Sequence, residues 1–165
     1  MRILIFVTTL LLLATSALAI HEIPLDVSVL DISSERGSHN SVIATAQDSQ
    51  GYIWMASIRG IYVYDGRVAR RVLEDVLRET KIRDMRIDEN DVLWVATNSG
   101  ILAYSLHNGT PRWYTTNDTP AGLSTRSVNV LYPDQKGSLW AGTINGGLHR
   151  YEPSFDRFDM VDILP

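Results

Sequence analysis

Asp134-Gln-Lys-Gly137-Ser-Leu-Trp140-Ala-Gly-Thr143-Ile-Asn-Gly146, closing on Tyr151, is the third copy of a pattern that runs through this chain. The first copy is Asp48-Ser-Gln-Gly51-Tyr-Ile-Trp54-Met-Ala-Ser57-Ile-Arg-Gly60, closing on Tyr64. The second is Asp88-Glu-Asn-Asp91-Val-Leu-Trp94-Val-Ala-Thr97-Asn-Ser-Gly100, closing on Tyr104. The three tryptophans are 40 and 46 residues apart. A period of that length, built from several short strands, is the mark of propeller blades. One unit cannot cover both of its own apolar faces, so stacking of neighbours decides the fold.

Each copy divides into strands and turns. In the first, 42–47 reads as a strand and Asp48-Ser-Gln-Gly51 as a hairpin turn, with Gly51 suited to positive φ. Strands over 52–57 and 61–64 follow, then an Asp65-Gly66 turn and an outer strand over 67–73. Side chains alternate along the second strand, so Trp54 and Ala56 share one face while Ile53 and Met55 share the other. Both faces are apolar, as expected of a sheet sandwiched between two others. A small residue stands two places after each tryptophan (Ala56, Ala96, Gly142), which lets an adjacent sheet approach the indole. The hydroxyls of Ser57, Thr97 and Thr143 are expected to bond to the turn that follows each of them.

Three departures qualify the pattern. Asp91 replaces the turn glycine of Gly51 and Gly137, and Asn90-Asp91 tolerates the left-handed conformation. The third copy carries an extra residue, Gly147, which suggests a bulge in its third strand. Leu73, Val76 and Leu77 have helical spacing, so a short helix is expected in the link between the first two blades.

Ahead of the repeats, Arg2 precedes an apolar run over 3–13, and small residues stand at Ala17 and Ala19. That is the plan of an export leader over 1–19, cut after Ala19. The apolar run is short for a membrane span, which needs roughly 20 residues. The chain has no cysteine, so an exported product must rely on packing rather than disulfides. Its formal net charge is −4, and an acidic chain is a poor match for nucleic acid. Residues 20–165 then read as an all-β, partial propeller, with four-stranded antiparallel blades at approximately 41–73, 82–117 and 127–160. A lone strand at 25–32 would close the ring. Closed propellers need about four or more blades. Three are therefore expected to be the amino-terminal part of a larger protein or a truncated product, the alternative being an assembly of several copies.

At these residues the chain resembles the two-component regulator propeller repeats. Those run Val-x-x-Ile-x-x-Asp-x-x-Gly-x-Leu-Trp, a hydrophobic residue, then Gly-Thr-x-x-Gly-Gly-Leu-x-Arg-Tyr. In the third copy Val128, Leu131, Asp134, Gly137, Leu139, Trp140, Gly142, Thr143, Gly146, Gly147, Leu148, Arg150 and Tyr151 fall in place. The first copy has Ala56-Ser57 for Gly-Thr, and the second lacks both the turn glycine and the Gly-Gly pair. The resemblance spans roughly residues 25 to 165. It implies a periplasmic, non-catalytic input region of hybrid histidine kinases or diguanylate cyclases, with any membrane attachment supplied by a downstream segment. An envelope scaffold is the alternative, and a propeller enzyme such as a polysaccharide lyase a third.

No metal-ligand spacing joins His21, His39, His107 and His149, which read as surface or loop residues. Asp48, Asp88 and Asp134 read as turn caps, because a calcium loop needs several alternating oxygen ligands. No cofactor is expected. A ligand, a small molecule or an oligosaccharide, would meet the end of the ring that gathers the inter-blade links and the turns between second and third strands. Arg59, Asn98, Asn145 and Arg126 stand there and carry hydrogen-bonding groups suited to hydroxyls or a carboxylate. Protein partners or dimerisation are the other expectation. Asp84, Arg86 and Tyr132, on the inner strands, are the residues an enzyme would draw on.

Overall fold

The computed structural model describes residues 41–118 and 122–162. The leader, the strand expected at 25–32, and His21 and His39 lie outside them. The described chain is all β, in three four-stranded antiparallel sheets. The first holds β1 (Val42–Gln47), β2 (Ile53–Ser57), β3 (Gly60–Tyr64) and β4 (Ala69–Val72). The second holds β5 (Ile82–Ile87), β6 (Val92–Thr97), β7 (Gly100–Ser105) and β8 (Pro111–Tyr114). The third holds β9 (Val128–Pro133), β10 (Leu139–Thr143), β11 (Leu148–Glu152) and β12 (Arg157–Val161). Strand order follows chain order in each sheet, because every connection is a short hairpin.

Among these sheets, β5 packs against both β1 and β9, so the first strand of each blade lies on the axis side. The arc of three blades is open. Two apolar layers hold it together. Between the first and second blades, Trp54, Ala56 and Ile61 meet Met85, Leu93, Val95 and Leu102. Between the second and third, Trp94, Ala96, Ile101 and Tyr114 meet Leu131, Leu139, Ala141 and Phe158. The second strand of the middle blade therefore uses both faces: Leu93 and Val95 toward one neighbour, Trp94 and Ala96 toward the other. All four are buried, as the doubly apolar pattern requires.

The tryptophan and the aspartate six residues before it are bonded in every blade. The indole Nε1–H donates to Asp48 Oδ2 at 2.9 Å, to Asp88 Oδ2 at 2.8 Å and to Asp134 Oδ2 at 2.9 Å. The other carboxylate oxygen accepts two turn amides: Gln50 and Tyr52, Asn90 and Val92, Lys136 and Ser138. One carboxylate thus shapes the turn and satisfies the polar edge of a ring that must otherwise enter an apolar layer. Indole bonding first, then turn amides, hold the Asp134 carboxyl below its ordinary range. Gly51, Asp91 and Gly137 occupy the left-handed region at φ 88, 53 and 79, which closes each of these turns. The hydroxyls of Ser57, Thr97 and Thr143 donate to the carbonyls of Gly60, Gly100 and Gly147.

Two local expectations are corrected. The link over 73–81 contains no helix. Leu73 and Glu79 take left-handed φ of 60 and 62, which breaks helical propagation after a single turn closed by Leu77 N–H donating to the Leu73 carbonyl. The apolar spacing serves instead to bury Leu77 in the first inter-blade layer, with Leu73 and Val76 packed against it. Likewise, the extra residue of the third copy does not bulge the third strand. Gly142 pairs with Leu148, and β11 keeps a continuous register with β12 from there. The added length widens the turn, where Asn145 and Gly147 are left-handed at φ 59 and 77.

Bulges do occur, in a place the sequence pattern did not reveal. The register shifts between Val42 and Ala44 in β1 and between Ile82 and Asp84 in β5. In β9 the partners of Thr143 and Gly142 are Val128 and Val130. The residues left out of the ladder are Ile43, Arg83 and Asn129, each eleven before its blade's tryptophan.

Candidate functional site

Register places the site. Val42 pairs with Ser57, Ile82 with Thr97 and Val128 with Thr143. The chain therefore enters each blade at the same end as the turn between its second and third strands. This end carries all four residues that the sequence analysis singled out for ligand contact. Arg59 is exposed at the tip of its turn, and its carbonyl accepts a bond from Arg71 Nη2. Asn98 is half-buried and braces a link: its Oδ1 accepts Lys81 N–H at 2.8 Å, and its own N–H donates to the Lys81 carbonyl at 3.1 Å. Asn145 is exposed in the widened third turn, and Arg126 is exposed in the link leading to β9.

Two cavities open at this end, between the first and second blades. The larger, about 490 Å³, is lined by Arg59, Arg71, Leu73, Glu74, Arg78 and Thr80 among others. The smaller, about 310 Å³, is lined by Ile58, Lys81, Ile82 and Arg83. Ile58 and Ile82 border both, so the two are neighbours. Arg59 reaches the larger cavity, while Asn98, Asn145 and Arg126 line neither of these two. The end of the blades named from sequence is the end at which these cavities open, but Ile58, Arg71, Arg78 and Arg83 were not among the residues singled out there. Arg78 and Arg83 are placed by the link turn and the bulge, neither of which leaves a periodic signal, whereas Ile58 shares the turn of Arg59, and Arg71 lies on β4.

Several charged groups near this end are already engaged. Arg71 meets Glu74 at 3.4 Å and Arg78 meets Asp75 at 3.2 Å. Asp84 is buried; one oxygen accepts Met85 N–H and faces Arg86 Nη1 at 2.8 Å, and the other accepts Leu131 N–H at 2.9 Å from the next blade. Its carboxylate thus ties β5 to β9. Tyr132 is 61 % exposed on the far face of the third sheet, and its partner across the ladder is Trp140. Of the three inner-strand residues named from sequence, Asp84 and Arg86 are thus an ion pair, with Asp84 committed to the inter-blade tie.

His149 departs from the expectation of a surface histidine. It has no exposure, and its Nε2 accepts Ser124 N–H at 3.1 Å. Burial holds it below its ordinary pKa, keeping the ring neutral and able to accept that bond. The hydroxyl of Ser124 donates to the Gly146 carbonyl, so the link into the third blade is pinned from two sides. At the outer edge of the same interface, the Tyr114 and Tyr151 hydroxyls both donate to Asp156 Oδ1. Burial, first of all, pushes both tyrosines above their ordinary range. Between the first two blades the fastening lies at the opposite end: Ser49 donates to the Asp91 carboxylate through its N–H at 3.0 Å and through its hydroxyl.

Compared with known families, the chain matches the two-component regulator propeller profile over residues 36–59 and 122–145. The unmatched middle copy is the one without turn glycine or Gly-Gly pair, yet it folds as the same four-stranded sheet. No curated protein matches the chain. Among solved structures it is similar to the extracellular domain described for the hybrid two-component system BT3049 of B. thetaiotaomicron. The TM-score is 0.66 at 23% identity, over 78% of this chain and 20% of that one. A second similarity is to the corresponding domain of BT4673 from B. thetaiotaomicron, with TM-score 0.57 at 20% identity over 79% and 18% of the two chains. A third is to streptogramin B lyase, with TM-score 0.54 at 14% identity over 73% and 41%. At such identities the likeness is one of fold. The chain spans about a fifth of the length of the first two. The fold is that of a partial β-propeller, and two of its segments match the two-component regulator propeller profile.

Proposed function

We propose that the chain is a blade set of an extracytoplasmic sensor, recognising a small ligand at the link end of its blades and contributing no catalysis of its own. The observation that carries this reading is the coincidence of family repeats with cavities at one end, bordered by arginine and apolar side chains. The neighbours described as extracellular domains of hybrid two-component systems support the placement outside the cytoplasm. The apolar run and small residues of 1–19 support export. No helix among the described residues is long and apolar enough to cross a membrane. Signal output would belong to a kinase or cyclase segment elsewhere in the protein. No cofactor enters this reading.

A two-part experiment tests it. Alkaline phosphatase fused after residue 165 is active only if the chain is exported, and inactivity would remove the extracytoplasmic placement. Purified full-length protein is then screened by thermal shift against sugars, organic acids and amino acids. A saturable shift coupled to altered phosphorylation or cyclase output supports sensing. An exported protein that captures a partner protein but responds to no small ligand supports the scaffold reading instead.

A further inference from the structure

Each first strand carries the same irregularity, and its consequence differs from blade to blade. A bulge frees one residue from the ladder and re-aims its side chain, and such devices gather near binding sites. Here the freed residues are Ile43, Arg83 and Asn129, all exposed, at the link end of the three axis-side strands. Only the middle blade places a charge at this position. Arg83 stands two residues from Lys81, and both line the smaller cavity with Ile58, which is 64% exposed.

Pairing separates these two cations from their neighbours. Arg71, Arg78 and Arg86 each face a carboxylate within 3.4 Å. Among the described residues, neither the Lys81 ammonium nor the Arg83 guanidinium has such a partner. Lys81 is also held in place, since both of its backbone polar groups are bonded by Asn98. Arg83 is bracketed by Ile82 and Asp84, which are buried toward opposite neighbours and fix the strand on either side of it. The result is two cations on a held stretch of backbone, without a carboxylate partner among the described residues, beside an exposed isoleucine in a chain whose net charge is −4. Two cations lining one cavity suit an oxyanion, and guanidinium fits a planar or tetrahedral one through paired N–H groups.

Resting on the sensor reading above, we infer that Lys81 and Arg83 form an oxyanion subsite. It takes the carboxylate or sulfate of a small ligand whose apolar edge lies against Ile58 and whose remainder extends into the neighbouring 490 Å³ cavity.

The test uses full-length protein and four probes at constant ionic strength: sulfate, citrate, glucuronate, and glucose as the neutral match to glucuronate. Calorimetric titration is expected to show saturable binding of at least one anion and none of glucose. The double variant Lys81→Gln/Arg83→Gln should weaken that anion at least tenfold, Arg83→Lys should retain most of it, and the outer-strand control Arg70→Gln should leave it unchanged. All three positions changed here, Arg70, Lys81 and Arg83, are exposed to solvent, and an unaltered melting temperature checks that each variant folds. Equal anion binding by wild type and double variant, equal binding of glucose and glucuronate, or no saturable binding of any anion would overturn the subsite. Failure of the sensor reading looks different: anion binding is lost in the double variant as expected, yet no ligand changes the output of the full-length protein. Conversely, ligand-triggered output that survives the double variant rejects the subsite and keeps the sensor.

Discussion

Trp94 and Trp140 occupy the same position in consecutive blades and make the same bond to aspartate, at 2.8 and 2.9 Å. Their surroundings differ. Trp94 is 4% exposed, with Tyr114 stacked at 5.8 Å and Tyr151 and Phe158 edge-on from the next sheet. Trp140 is half-buried on a face where Val130 and Tyr132 are exposed, and its ring is met by the Arg150 guanidinium at 5.8 Å. The aspartate clamp is therefore a property of one hairpin, set by six residues of local sequence. Burial of the ring is a property of stacking and requires another sheet. Local pattern builds the blade, and neighbours supply most of its stability.

That contrast can be broken by mutation, most strongly at the covered ring. Trp94→Ala should destabilise the protein by about 4 kcal/mol, the range for a buried aromatic, whereas Trp140→Ala should cost no more than about half as much. Urea unfolding of both variants measures the difference, and equal costs would mean that the second and third blades do not stack as described. Glycines give a second pair. A Cβ on Gly100 would meet the Tyr114 carbonyl oxygen at 2.3 Å with φ 128, while one on Gly137 would meet nothing within 4 Å at φ 79. Gly100→Ala should cost about 3 kcal/mol or more through clash and strain together, and Gly137→Ala about 1 kcal/mol through strain alone. Melting temperatures in the reverse order would contradict the register.

The clamps come next. Asp88→Ala removes three hydrogen bonds, one of them from a largely buried indole, and should cost about 2 kcal/mol. Asp134→Ala leaves its indole N–H closer to water and should cost less, by the same unfolding assay.

The smallest effect is one of pH. The Asp91 carboxyl is lowered from its ordinary 3.8, first by the Ser49 hydroxyl and then by the Ser49 amide. A carboxyl depressed in the folded state adds stability that is fully present above the unfolded value and lost as pH falls through the folded one. Wild type should thus lose stability below about pH 4 more steeply than Asp91→Asn, which keeps a residue tolerant of φ 53 but has no charge to neutralise. Identical acid limbs would show that the Ser49–Asp91 tie between the first two blades does not form in solution.

Much of this architecture is legible in the residues. Alternating apolar faces place β2 to within a residue of the expected 52–57, and turn residues such as Gly51 and Asp91 punctuate the copies. What escapes the sequence is set by contacts between units. The Asp–Trp bond is the exception: it lies within one hairpin and escapes because its partners stand six residues apart with no periodic relation. The bulges at Ile43, Arg83 and Asn129 recur at one position of each inner strand, yet the residues themselves are chemically unlike. His149 is buried because the incoming link lies over it, which its own neighbours do not foretell. The turn at 73–80 has helical spacing and is nonetheless ended by left-handed residues that sequence does not mark with glycine. At the candidate site, the end of the blades could be read from the repeat, whereas the Lys81–Arg83 pair appears only with the bulge in place.

The stacking account is tested most directly by 19F NMR of protein labelled with 5-fluorotryptophan, with resonances assigned by Trp→Phe variants. The shift of each resonance between H2O and D2O reports how much of that ring touches solvent. The account predicts near-zero shifts for Trp54 and Trp94 and a clearly larger one for Trp140. Equal solvent exposure of Trp94 and Trp140 would contradict it.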